Sequence, residues 1–152
     1  MEIYRVGLFG HRTVCSDQGV SSKLEKAVKD LLREKEFVEF YMGRNGDFDT
    51  LAAAAVKCAQ RDVDLKNSAL SLVLPYSVKD IEYYQSYYDD IIFPLDNGTH
   101  FRTAITRRNE WIVDNCDLVI AFVEHESGGA HQALRYAQKR GVKVINLAAE
   151  KL

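Results

Sequence analysis

Three short segments of this 152-residue chain carry residue types that could do chemistry. The first is FGHRTVCSD, from Phe9 to Asp17, where Gly10, His11 and Arg12 stand together. The second is GRNGDFD, with Gly43, Gly46, Asp47 and Asp49. The third is EHESGGAHQ, with Ser127, Gly128 and Gly129. Glycine lets backbone come close to a ligand. A helix that begins just after such a loop offers free N–H groups and a partial positive charge. With an arginine nearby, that combination seats a phosphate. A carboxylate is a poor neighbour for phosphate but a good partner for a ribose hydroxyl. Asp49 is better placed for that task than Asp47, which also suits the first turn of a helix. A plainer reading stands beside each loop. A glycine between strand and helix is often a turn residue, and Ser127 could be an ordinary N-cap. No loop matches G-x-G-x-x-G or the Walker pattern. The joint presence of three such loops is what points to a ligand.

A second signal lies between the second and third loops. Phe101, Ala104, Ile105 and Ile112 recur at helical spacing, and Arg108 falls in the same apolar stripe. A buried, unpaired arginine is very costly. Arg108 must therefore snorkel to water, pair with a carboxylate, or reach a ligand. Arg107 is expected on the solvent side, and Asn109 near the same site as Arg108.

His11, His125 and His131 lie on different loops without an i, i+4 pair or an H-E-x-x-H motif, so no metal site is expected. No cofactor is expected either. His11 and Arg12 read better as anion or base contacts. Cys15 would need a lowered pKa to act as a nucleophile, and an ordinary loop thiol is the preferred reading. Tyr83, Tyr84, Tyr87 and Tyr88 could stack a base. Such a cluster is more often core or a subunit interface, which leaves room for a homo-oligomer.

The elements that would hold these residues alternate along the chain. Ile3 to Phe9 reads as a strand. Ser21 or Ser22 would cap a helix that shows Leu24, Ala27, Val28, Leu31 and Leu32 on one face. Val38 to Met42 is a second strand, followed by a helix carrying Leu51, Ala52, Ala55, Val56 and Ala59. ALSLVL is a third strand, stopped by Pro75. VKDIEYYQSYY predicts a short helix and DDIIFPL a short strand. THFRTAITRRNEWIVDNCD is a long helix, LVIAFV a strand, GAHQALRYAQKR a helix and VKVINL the last strand. Several strands are continuous apolar runs, as expected when both faces are covered. The pattern predicts an α/β chain: a three-layer, Rossmann-like open sheet, mostly parallel, with helices on both faces. All three loops then follow strand C-termini and share one edge, where ligands bind in such sheets.

Bulk properties agree with one domain over residues 1–152. Hydrophobic residues make up 47% and charged residues 28%. The net charge of −2 gives no electrostatic footprint for nucleic acid, so nucleic acid is not the expected partner. No apolar run approaches the roughly 20 residues of a membrane span, and no signal peptide is visible. Three cysteines, Cys15, Cys58 and Cys116, fit neither a zinc pattern nor a disulfide framework. A cytoplasmic location is expected.

The loops, with the Arg108-Asn109 helix between the second and third, resemble the SLOG superfamily. That Rossmann-like group contains the lonely-guy (LOG) nucleotide phosphoribohydrolases and the DprA-like proteins. The nearest branch resembles the small bacterial YpsA-like proteins. The resemblance rests on Gly10-His11-Arg12, on Gly46 to Asp49, on Arg108-Asn109 and on Gly128-Gly129, and covers nearly the whole chain. Lonely-guy enzymes carry a P-G-G-x-G-T-x-x-E signature. Its glycines bind phosphate, and its glutamate works with a helix arginine in cleaving an N-glycosidic bond. The resemblance maps that arginine onto Arg108 and the signature onto SGGAHQALR. Ser127 then replaces the proline, His131 and Gln132 replace Gly-Thr, and Arg135 stands where the glutamate should be. The acid that would assist an oxocarbenium-like transition state is missing at its usual place.

The resemblance thus implies a sensor-type domain that binds a nucleotide or a nucleotide-derived molecule. Gly43, Gly46, Ser127, Gly128 and Gly129 would cradle phosphate. Arg12 and Arg108 would neutralise it, and Asp49 would hold ribose. The alternative is a nucleoside 5′-monophosphate phosphoribohydrolase with Arg108 catalytic and Glu124 or Glu126 as a replacement acid. A scaffold whose site has decayed is a third possibility.

Overall fold

The computed structural model of the chain describes residues 1–14 and 19–149. Cys15 and the rest of the first loop up to residue 18 lie outside the described residues. The elements are β1 (Ile3–Gly10), α1 (Val20–Glu34), β2 (Phe37–Met42), α2 (Asp47–Val63), β3 (Ser68–Val73), α3 (Ile81–Tyr87), β4 (Asp90–Ile92), α4 (Phe101–Asp114), β5 (Leu118–Phe122), α5 (Gly129–Arg140) and β6 (Lys143–Asn146). The strands form one sheet in the order β4-β3-β2-β1-β5-β6. Every strand pair is parallel. This is the Rossmann-like α/β architecture expected from the alternation.

Side chains along a strand point to alternate faces, and the core divides accordingly. On one face Leu8, Phe40, Met42, Leu70 and Ile120 meet the apolar stripes of α1 and α2, including Leu24, Val28, Phe48 and Val56. Tyr87 and Tyr88, around the end of α3, pack against the same cluster. On the other face Phe9, Tyr41, Val73, Val119 and Ala121 meet Ile112 and Val113 of α4 and Ala133, Leu134 and Ala137 of α5. The central strands are buried on both faces, which is why they read as unbroken apolar runs.

Several local expectations change. The N-cap of α1 is Gly19 in a left-handed conformation, so Ser21 and Ser22 lie inside the helix. Phe101 does not belong to the buried stripe of α4. It opens the helix at 68% exposure and stacks on His100, whose ring accepts the Arg102 N–H at 3.1 Å. The first turn of a helix can overhang the layer it packs on, so the stripe becomes buried only from Ala104 onward. Among the described residues no helix is long and apolar enough to cross a membrane.

Candidate functional site

The order of the strands reverses between β1 and β5, because the chain steps from β1 outward to β4 and then returns to β5. Ligand crevices in open α/β sheets form at such points, beyond the carboxyl ends of the strands. A cavity of about 330 Å³ lies there. Gly10 and Arg12 line it from the end of β1, and Gly43, Asn45, Gly46 and Asp49 from the loop after β2. Arg108 and Asn109 come from α4, and Gly128 and Gly129 from the loop after β5. A larger groove of about 830 Å³ runs between α4 and α5 and meets this cavity at Asn109 and Gly129. The smaller cavity is the one that collects the loop glycines and Arg108.

Arg108 does not snorkel, because the residue is only 3% exposed. Its Nη1 donates to the Val73 carbonyl at 2.8 Å, its Nε to Asn109 Oδ1 at 2.8 Å and its Nη2 to Asn45 Oδ1 at 3.3 Å. A guanidinium has five N–H groups. Those bonds use three of the five, and Arg108 lines the cavity. Among the described residues no carboxylate lies within 4.0 Å of Arg108. Burial pulls its pKa below the ordinary arginine value, and the more distant Asp49 carboxylate partly offsets this. Arginine keeps its charge regardless, so α4 buries a cation without a paired anion.

Asp49 faces the same cavity. Its Oδ2 accepts the Asn45 N–H at 2.7 Å, across the start of α2. Burial pushes its carboxyl above the usual range, while the Asn45 and Gly46 N–H groups and Arg108 pull it back. Asp49 thus has a structural task at the α2 N-terminus besides any contact with a ligand. Asp47 is exposed and holds the first loop through the Val14 N–H at 3.0 Å. Arg12 is exposed, and its Nε donates to the Asn45 carbonyl at 3.2 Å.

The glycines fall into two groups. A Cβ on Gly10 would stand 2.0 Å from Phe48, one on Gly43 2.6 Å from the Arg108 guanidinium, and one on Gly46 2.4 Å from the Arg12 backbone. Their missing side chains let Phe48 of α2, the Arg108 guanidinium of α4 and the backbone of the first loop come close. Around Gly128 and Gly129 a Cβ would meet nothing within 4 Å. Gly128 also has φ +89°, a conformation that L residues rarely adopt. These two glycines leave open the space in front of the α5 N-terminus.

His11 and Ser127 are not in the cavity lining. His11 is buried, and its Nε2 accepts the Glu124 N–H at 2.7 Å. The neutral ring therefore carries its proton on Nδ1. His11 also stacks on His125 at 3.8 Å between centroids and meets Phe122 edge-on. Burial, helped by His125, holds its pKa below the ordinary histidine value. His11 ties the loop after β1 to the loop after β5. Ser127 is exposed, with its Oγ 3.1 Å from His125 Nδ1. Glu124 and Glu126 are exposed and outside the cavity lining. No group of three or more His, Cys, Asp or Glu side chains that could hold a metal occurs among the described residues.

The sequence did not single out Asn45, yet it joins Arg12, Asp49 and Arg108. Its side chain accepts from Arg108, its carbonyl from Arg12, and its N–H bonds Asp49. The signal was its place between two glycines of the second loop.

No protein-family model matches the chain, and no curated protein sequence matches it. Solved structures share its fold, among them the following three. DNA processing protein A from Helicobacter pylori, described for a single-stranded DNA binding mode, superposes with a TM-score of 0.63 at 12% identity, covering 93% of this chain and 63% of that one. DNA processing protein A (DprA) from Streptococcus pneumoniae gives 0.58 at 17% identity, covering 96% of this chain and 59% of that one. The molybdenum cofactor carrier protein from Chlamydomonas reinhardtii gives 0.63 at 14% identity, covering 97% of this chain and 78% of that one. The chain thus spans about three fifths of the two DNA processing proteins. At these identities the likeness is one of fold, and it places the chain among the Rossmann-like folds of the DprA and molybdenum cofactor carrier type.

Proposed function

We propose that the chain is a cytoplasmic, SLOG-type binding domain, close to the YpsA-like branch, whose cavity takes a small anionic ligand of the nucleotide class. The buried Arg108 carries this reading. A cation almost wholly buried, with no counter-ion within 4.0 Å, is a standing cost to the fold, and a phosphate in the cavity would supply the missing charge. The two N–H groups of Arg108 beyond its three bonds can bond such an anion. Gly128 and Gly129 open the α5 N-terminus to the same space. Arg12 adds a second positive charge at the rim, and Asp49 offers a carboxylate to a ribose hydroxyl. Gly43 and Gly46 serve this design indirectly, by letting Arg108 and Arg12 come close.

The similar structures suit a small-molecule or nucleic-acid ligand. The net charge of −2 favours the small molecule, because a chain without excess positive charge gains little from counter-ion release along a phosphate backbone. One observation favours the hydrolase reading: Asp49, a half-buried carboxyl on the wall of the cavity that Arg108 also lines, with its pKa raised by burial, is the kind of acid N-glycosidic cleavage uses. Arg135 at the usual glutamate position and the outward placement of Glu124 and Glu126 speak against it.

The test is calorimetric titration with inorganic phosphate, ribose 5-phosphate, nucleoside 5′-monophosphates and a short single-stranded oligonucleotide. Binding of at least one small phosphate is expected. Arg108→Ala should weaken it by about 1.5–3 kcal/mol, the usual worth of a hydrogen bond to a charged group, and the exposed Arg107→Ala should not. Equal losses from both variants would remove the role of Arg108. Release of free base at enzymatic rates, abolished by Asp49→Asn, would establish the hydrolase instead.

A further inference from the structure

A second, smaller cleft of about 260 Å³ opens between α2 and α3. Its walls are Tyr84, Tyr87 and Tyr88, with Thr50 and Ala53 of α2 as its small-residue side. Arg44 and Asp49 complete it, and Asp49 also lines the central cavity. The two clefts therefore meet at one carboxylate. They also share a loop. Asn45 faces Arg108 in the central cavity, while its neighbour Arg44 lies over the Tyr84 ring at 5.4 Å.

Tyr87 and Tyr88 rest in part against the core, but the rings of the cleft are only partly buried. None of the seven residues of α3 is buried, although three of them are tyrosines. Tyr83 is 62% exposed. Tyr87 already has Lys57 over its face at 4.3 Å. Tyr84 meets the Arg44 guanidinium instead, which sits on a loop at the cavity rim and is exposed. At 5.4 Å the guanidinium already covers the ring, so a base would take the Tyr84 face by pushing the exposed Arg44 side chain outward. It would then lie with a π-face on one side and a planar cation on the other, the pair of surfaces that stacks bases.

We propose that the α2–α3 cleft, with Tyr84 as platform and Arg44 as cover, is the subsite for the nucleobase of the ligand whose phosphate occupies the central cavity. Asp49, on the shared wall, then lies where the sugar must pass. This inference rests on the nucleotide reading above and adds the position and means of base recognition. Every base has a π-face, so stacking alone gives affinity with little choice among bases.

The 152-residue chain is titrated with ribose 5-phosphate, AMP and UMP, using the wild type, Tyr84→Ala, Tyr84→Phe and Arg44→Ala. The wild type should bind AMP more tightly than ribose 5-phosphate. Tyr84→Ala should weaken AMP roughly 5- to 100-fold, the usual worth of one stacked base, and leave ribose 5-phosphate unchanged. Tyr84→Phe keeps the ring and should keep the AMP affinity, which also controls for folding. Arg44→Ala should fall between. If Tyr84→Ala preserves the advantage of AMP over ribose 5-phosphate, the base lies elsewhere. Equal wild-type affinity for the two ligands rules the subsite out as well. In either case the phosphate reading survives through its Arg108 dependence. A Tyr84→Ala variant that changes only the oligomeric state by light scattering would make the cluster a subunit contact and overturn the proposal. Binding of none of the three ligands would bring down the nucleotide reading and this inference with it.

Discussion

Gly10 and Gly129 look alike in the sequence and act differently in the structure. A methyl group on Gly10 would strike the body of the Phe48 ring, which is itself fully buried and has no room to yield. Gly10→Ala should therefore cost about 1–3 kcal/mol of stability, the usual penalty of overpacking a core. A methyl on Gly129 meets nothing. Gly129→Ala should leave stability unchanged or raise it by up to about 1 kcal/mol, since alanine suits a helix better, yet it narrows the mouth of the proposed phosphate seat. Urea denaturation of both variants, paired with titration by inorganic phosphate, checks the contrast. Gly10→Ala should lose stability, and Gly129→Ala should lose only affinity. If Gly129→Ala binds phosphate as the wild type does, the seat is not at the α5 N-terminus. The distinction could not be read from the sequence. The partner of Gly10 sits in α2, and only the parallel β1–β2 pairing brings the two together. The position of Arg108, by contrast, was legible, because a charge inside an apolar 3.6-residue stripe violates the pattern on sight.

At the scale of elements, the strands and helices were legible because apolar runs alternate with helical periods, and two covered faces leave no other arrangement. What escaped was the ends. Gly19 caps α1 through a left-handed turn where serines stood ready nearby, and Phe101 hangs outside the layer. Ends are set by where the next element must go, which local preference does not encode. The loops that end β1 and β5 illustrate this, being joined by His11 through the Glu124 N–H and the His125 ring. That join depends on pH. The folded-state pKa of His11 is depressed, so the folded chain binds the proton less readily than the unfolded one. The stability it contributes is present above the unfolded value of about 6.5 and is lost as pH falls through the lower folded value. Denaturant titrations between pH 8 and 5 should show stability declining below pH of about 6.5. His11→Gln should flatten that decline, since glutamine can still accept the Glu124 N–H but does not titrate. An unchanged slope in the variant would place the pH response elsewhere.

For the molecule as a whole, the site lies at the strand reversal, lined by residues from both helical layers. α1, α2 and α3 cover one face of the sheet, α4 and α5 the other, and the cavity opens at the strand reversal between them. A ligand there binds the native state alone, because the unfolded chain has no such place. At a concentration of about 100 times Kd it should add about 2.7 kcal/mol. For a chain of this size that corresponds to a rise in Tm of about 5–10 °C. A thermal-shift series with nucleoside monophosphates checks this, and a flat response across the series at millimolar concentration would count against a nucleotide. The reach of Arg108 has a further consequence. Rooted in α4, it holds the carbonyl of Val73 at the end of β3 and the side chain of Asn45 in the loop before α2. It is thus a rivet driven over the rim of the sheet from one layer into the other. Amide hydrogen exchange would feel such a rivet tighten. An anion drawn to its two idle N–H groups should slow exchange in α4 and at the start of α2 together, so that helices on opposite faces record occupancy of the same cavity as a single event.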